Sequence, residues 1–147
     1  MKKVADIGAG QTSTLDLYIK GAQTLEINPS DSARYDGVEY QDMENLTYPD
    51  ASFDIVHCRN ALDHTKDAQK AVEEMIRICK PGGTVFIKCW LDQADTGHKH
   101  YWNAKDDGSF EGKKNFSLKD YGFKIWYVDH GGERRYNYIQ ATLEKPK

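Results

Sequence analysis

The chain has 147 residues, with 20 lysines and arginines against 23 aspartates and glutamates, a net charge of −3. That length makes one domain with a core that needs no disulfide or metal staple. The near-balanced charge argues against a general nucleic-acid or membrane-surface binder, which needs a basic face. An apolar content of 39% with 12% aromatics argues against disorder.

Residues 3–7 read as a first strand running into Asp6-Ile7-Gly8-Ala9-Gly10, an acid ahead of a Gly-x-Gly turn. Glycines let a backbone pass close to a ligand because no Cβ intervenes. A dinucleotide site needs a third glycine and a diphosphate over a helix N-terminus. Here Ser13 stands at that third position, and a carboxylate beside a diphosphate would repel it. An acid suits a cation better, such as a sulfonium or an α-amino group, which points to S-adenosylmethionine.

Further along, residues 14–19 read as a helix of a turn or two. Residues 24–27 read as a second strand ending on Glu26-Ile27-Asn28, and 38–41 as a short third strand ending on Asp42-Met43. After a turn at Pro49-Asp50-Ala51-Ser52, the apolar run 53–58 has the character of a central parallel strand buried on both faces. The clearest helix follows, with Ala68, Val72, Met75, Ile76 and Cys79 on one stripe of a 3.6-residue period. Glu73 and Arg77 are spaced to pair across one turn of it, and Thr65 or Asp67 can cap its start. Lys80-Pro81-Gly82-Gly83 stops the helix and leads into a strand at 84–90. A right-handed crossover makes the two strands flanking the helix parallel.

Residues 92–114 form a polar insert without period, of the kind that is functional or mobile. A helical turn at 117–121 precedes strands at 124–128 and 136–144, joined by Asp129-His130-Gly131-Gly132 as an antiparallel hairpin. Cys58, Cys79 and Cys89 lack paired spacing and read as reduced core thiols of a cytoplasmic protein. No apolar run reaches membrane-spanning length.

Two stretches carry a resemblance. The first is Tyr48-Pro49-Asp50-Ala51-Ser52-Phe53-Asp54-Ile55-Val56, and the second is Ala71-Val72-Glu73-Glu74-Met75-Ile76-Arg77-Ile78-Cys79-Lys80-Pro81-Gly82-Gly83. With Val4 to Gly10, Glu26 and Asp42, the chain from Val4 to Trp90 resembles the class I S-adenosylmethionine-dependent methyltransferases. The resemblance implies a Rossmann-like α/β three-layer sandwich over 1–147, its seven-stranded, mostly parallel sheet in the order 3-2-1-4-5-7-6 with strand 7 antiparallel. It implies that Gly8, Ala9 and Gly10 pass under the cofactor with Asp6 near its amino group. Glu26, followed by Ile27 and Asn28, would take the ribose hydroxyls. Asp42 would accept from the adenine amino group beside Met43, and Cys58, Arg59 and Asn60 would leave strand four next to the methionine moiety. The family also carries helices ahead of strand one, whereas strand one starts here at Lys3. The expectation is that the insert at 92–114, or a second subunit in a homodimer or with a partner chain, covers the site.

His64 is the candidate general base for an oxygen or nitrogen acceptor; a helix-entry histidine bonded to backbone is the alternative. His100, Trp102 and Asn103 are candidate substrate contacts, with a lid anchored by Trp102 as the other reading. His98 and His100 lack a third ligand, so no metal is expected. No Asp/Asn-Pro-Pro-aromatic motif follows strand four, which makes nucleic-acid bases poor acceptors. The leading expectation is methyl transfer from S-adenosylmethionine to a small molecule, leaving S-adenosylhomocysteine. The alternative is a cofactor-binding module without transferase activity, either a regulatory subunit or a protein that sequesters or degrades the cofactor.

Overall fold

A computed structural model of the chain describes residues 2–8, 23–28, 38–92, 94, 101–129 and 137–147. The helix expected at 14–19, and Ala9, Gly10, His98 and His100, lie outside the described residues. The strands are β1 (Lys3–Ile7), β2 (Gln23–Asn28), β3 (Val38–Tyr40), β4 (Phe53–Arg59), β5 (Cys79–Trp90), β6 (Asn103–Ala104), β7 (Ser109–Glu111), β8 (Phe116–Ser117), β9 (Lys124–Asp129) and β10 (Tyr138–Glu144). One sheet runs β3-β2-β1-β4-β5-β10-β9. Its first five strands pair in parallel, and β10 runs antiparallel to both β5 and β9. The fold is therefore Rossmann-like α/β. Among the described residues no helix is long and apolar enough to cross a membrane.

Helix α1 (Ala68–Ile78) forms where the apolar period predicts, and the Asp67 side chain caps it by accepting the Lys70 N–H at 3.0 Å. Its buried stripe is Ala68, Ala71, Val72, Met75 and Ile78, against the inner side chains Val56, Cys58, Val85, Ile87 and Cys89 of β4 and β5. The helix ends one residue before the predicted Cys79, which is already extended at ψ 135°. The reason is local: Pro81 disfavours helical backbone in Lys80 and has no N–H to continue the ladder. The last turn is closed from a distance, where Lys145 Nζ donates to the carbonyls of Ile76 at 2.9 Å and Cys79 at 2.8 Å. A cation there also meets the negative end of the helix dipole.

Arg77 departs from the expected pairing with Glu73. Its Nε donates to Glu74 Oε1 at 2.8 Å, and its remaining donors reach the carbonyls of Leu46 and Tyr48 and the carboxylate of Asp50. Glu74 in turn accepts the Leu46 N–H at 2.8 Å, while Glu73 accepts from the Tyr121 hydroxyl at 2.7 Å. Both spacings are open to a helix. The segment between β3 and β4 decides between them, because its carbonyls match the fork of the guanidinium.

The described part of the expected insert from residue 101 onward forms, with β8 just beyond it, a small antiparallel sheet, β6-β7-β8. Asp107 Oδ1 accepts the Ser109 N–H at 2.9 Å, and the Gly108 N–H reaches the Lys105 carbonyl at 3.0 Å with φ +86° at the glycine. This is an Asp-Gly hairpin turn between short apolar segments. Trp102, Ala104, Phe110, Phe116 and Leu118 join the main core through it.

Arg77→Ala should cost about 2–3 kcal/mol, because it removes charge-assisted bonds and strands two carbonyls. Urea unfolding reads the loss directly. Arg77 holds the Glu74 carboxyl below its ordinary value, with burial opposing it. A depressed carboxyl stabilises the fold above the unfolded-state carboxylate range and loses that contribution on acidification. The stability difference between wild type and Glu74→Gln should therefore shrink as pH falls through that range.

Candidate functional site

The carboxyl ends of β1 and β4 lie side by side, with Ile7 opposite Cys58, and the turns beyond them nearly touch. Gly8 has φ +73°, and a Cβ there would stand 2.2 Å from Ala61 Cβ and 3.9 Å from Met43 Cε. Only glycine fits, for conformation and for space alike. Met43 is buried, so the segment after β3 reaches the same point.

Asn60 sits at that junction with φ +52° and gives its N–H to the Lys88 carbonyl at 2.8 Å. Its Oδ1 is buried and has no hydrogen-bond partner among the described residues. A buried acceptor left unpaired is costly, and its chemistry calls for an N–H or O–H donor.

Asp6 is 5% exposed, and its Oδ1 lies 3.0 Å from Nδ1 of His57, the residue opposite it on β4. Glu26 stands opposite Asp6 in the β1–β2 register, followed by Ile27 and Asn28. Asp42 is exposed and accepts the Glu44 N–H at 2.9 Å, closing its own turn. Arg59 is exposed. The Cys58 thiol points into the core, where burial raises its pKa ahead of the nearby Asp6 and Asp63 charges. At the strand end Cys58 therefore presents backbone rather than sulfur.

The chain after Asn60 makes a 3-10 turn, Leu62–His64. His64 is exposed at its end, while Asp63 is 2% exposed and was not singled out by the sequence. This turn is where the small sheet is fastened. The Tyr101 N–H donates to the Asp63 carbonyl at 2.8 Å, and Trp102 Nε1 donates to the Thr65 carbonyl at 2.9 Å. The Trp102 ring is 2% exposed and packs edge-on to Phe116. Asn103 Oδ1 accepts the Ala94 N–H at 2.8 Å. Trp102 and Asn103 thus hold the small sheet and the turn after β5 in place.

The model of a methyltransferase domain matches residues 5–87 of this chain, more than half of it. The chain belongs to the methyltransferase-domain family. It is 29% identical over 113 residues to a ubiquinone biosynthesis O-methyltransferase of Idiomarina loihiensis, covering 61% of this chain and 46% of that one. It is 35% identical over 99 residues to an uncharacterised methyltransferase, YcgJ, of Bacillus subtilis, covering 58% and 39%. The solved YcgJ structure superposes with a TM-score of 0.66 at 17% identity, over 99% of this chain and 92% of that one. A methyltransferase of Haloferax volcanii, solved in complex with a methyltransferase activator, superposes at 0.62 with 17% identity, over 99% and 83%. The chain spans about half the length of the curated relatives it matches, between 39% and 55% of the first three.

Trp102→Phe keeps an aromatic ring and deletes one buried N–H donor. It should cost about 1 kcal/mol and leave the Thr65 carbonyl unpaired. Thermal unfolding should show a shift of roughly 2–4 °C.

Proposed function

We propose that the ends of β1, β2 and β4 bind S-adenosylmethionine, the cofactor of this family, and that the domain transfers its methyl group to a small-molecule acceptor. The observation that carries this reading is the buried Asn60 Oδ1, without a hydrogen-bond partner among the described residues, one residue before the Ala61 that packs against the bare Gly8. The donor set fits the cofactor. Its amino group offers N–H donors to Asn60 Oδ1 and a positive charge to Asp6, and Gly8 leaves no side chain in the way. Glu26 takes the ribose hydroxyls, and Asp42 with Met43 borders the adenine.

When bound, the cofactor supplies a methyl group activated on sulfonium sulfur. The protein's share is largely alignment, which can supply about 7–11 kcal/mol of a barrier. In this reading His64, exposed at the end of the 3-10 turn, takes the acceptor's proton, and the small sheet carrying Trp102 borders the acceptor. We further infer that the strand order β3-β2-β1-β4-β5-β10-β9 is the family's 3-2-1-4-5-7-6 arrangement, with β9 and β10 as strands 6 and 7.

A second reading is a cofactor-binding chain that needs a partner for transfer. It draws on the Haloferax volcanii relative, which is solved with its activator.

Calorimetric titration with S-adenosylmethionine and S-adenosylhomocysteine, with NAD as control, tests the first reading. Binding of the first two alone is expected. Gly8→Val and Glu26→Ala should each abolish it. Asn60→Gly keeps the left-handed backbone and deletes the acceptor, so affinity should fall about tenfold, the scale of one hydrogen bond to a charged group. Its unliganded stability should stay within about 1 kcal/mol of wild type. Unchanged affinity in all three variants would overturn the placement of the site. Methyl transfer that appears only on adding a partner chain would favour the second reading.

A further inference from the structure

The carboxylate expected to meet the cofactor is held by a residue that the sequence motifs do not include. His57 stands opposite Asp6 on the next strand, and its Nδ1 lies 3.0 Å from Asp6 Oδ1. A carboxylate can only accept, so this bond puts a proton on Nδ1. The imidazole is stacked flat on Phe86 of β5, with centroids 4.9 Å apart and planes 3° from parallel. Phe86 is backed by Trp126 of β9 at 6.0 Å. The ring is therefore fixed in plane by the stack and in rotation by the hydrogen bond. One oxygen of Asp6 is tied to it, which sets the direction of the other.

We propose that His57 is a positioning residue for the cofactor. It orients the Asp6 carboxylate toward the cofactor's amino group, and its own protonation opposes binding of that group. The proposal rests on the reading that S-adenosylmethionine binds at this sheet end.

The Nδ1 proton is present in both the neutral and the charged ring, so Asp6 is held in either form. The charged ring, however, neutralises the carboxylate that an incoming ammonium needs. Binding a cation beside Asp6 is favoured with the neutral ring and opposed by the charged one, so affinity should be higher where the ring is neutral. Other charges near the pair are Arg59 and Lys88, one pleat repeat further along β4 and β5 and opposite each other. Lys124 of β9 lies at the far end of the same cross-strand row, and Glu26 of β2 is opposite Asp6. Phe86 and Trp126 bring no charge.

Two variants separate orientation from charge. His57→Asn keeps an N–H near the Nδ1 position and cannot titrate. His57→Phe keeps a ring on Phe86 and has no donor. Binding of S-adenosylhomocysteine, which carries the same amino group, is measured by calorimetry between about pH 8 and about pH 5, the span in which histidines change charge. Circular dichroism checks the fold of each variant.

At the upper end His57→Phe should bind about tenfold more weakly than wild type, and His57→Asn within about threefold of it. On acidification wild-type affinity should fall about tenfold relative to His57→Asn, whose own decline reports only the ligand and other groups. The His57 ring resonances should move when the ligand is added to wild type. If folded His57→Phe matches wild type in affinity and pH profile, the proposal is overturned. Equal pH profiles for wild type and His57→Asn would overturn its charge component. A wild-type protein that binds neither cofactor form overturns the cofactor reading itself, a distinct outcome.

Discussion

The constraint on which the site depends is the contact between the turns after β1 and β4. A residue with a Cβ at Gly8 would overlap Ala61 by more than an ångström, given the 2.2 Å separation. Next to this contact Asn60 takes a left-handed conformation, and its Oδ1 is buried. The same approach carries the Leu62–His64 turn to where Tyr101 and Trp102 fasten to it. One bare Cα thus lets the ends of the two strands approach this closely.

The two faces of the sheet are built differently. On the α1 side, apolar residues of β4, β5 and β10 close a continuous core in which all three cysteines are inert and buried. On the other side lie Asp6, His57 and Phe86, and Trp126 reaches 54% exposure at the edge strand. The polar and titratable groups of the central strands gather on that second face and at the strand ends. This is the usual consequence of a parallel sheet, whose loops gather beyond one end of its strands.

Much of this architecture was legible in the sequence, for identifiable reasons. β1, β4, β5 and α1 are long enough for hydrophobic period to speak, and Asp67, Pro81 and the glycines mark their ends. The small sheet was not legible, because strands of two or three residues carry no period and its Asp107-Gly108 turn is embedded in polar residues. Arg77 went to Glu74 instead of Glu73 because the choice was made by carbonyls roughly thirty positions away in the chain. The pair of Asp6 and His57 is separated by 51 residues and exists only once the β1–β4 register is set. Glycine turns and strand ends locate a site from sequence; cross-strand partners that tune it need the register.

Strand β10 comes after β9 in the chain but lies between β9 and β5 in the sheet, and Lys145 just beyond it closes the end of α1. During synthesis this has a consequence for timing. When β9 leaves the ribosome its hydrogen-bonding neighbour β10 does not yet exist, and α1 still has an open end. The amino-terminal half can collapse early, yet the sheet's right-hand side has to wait for the segment 138–145, which then enters as a wedge and not as an added edge. A nascent chain stalled before that segment exposes the apolar edge of β5 to chaperones or to its own neighbours on the polysome.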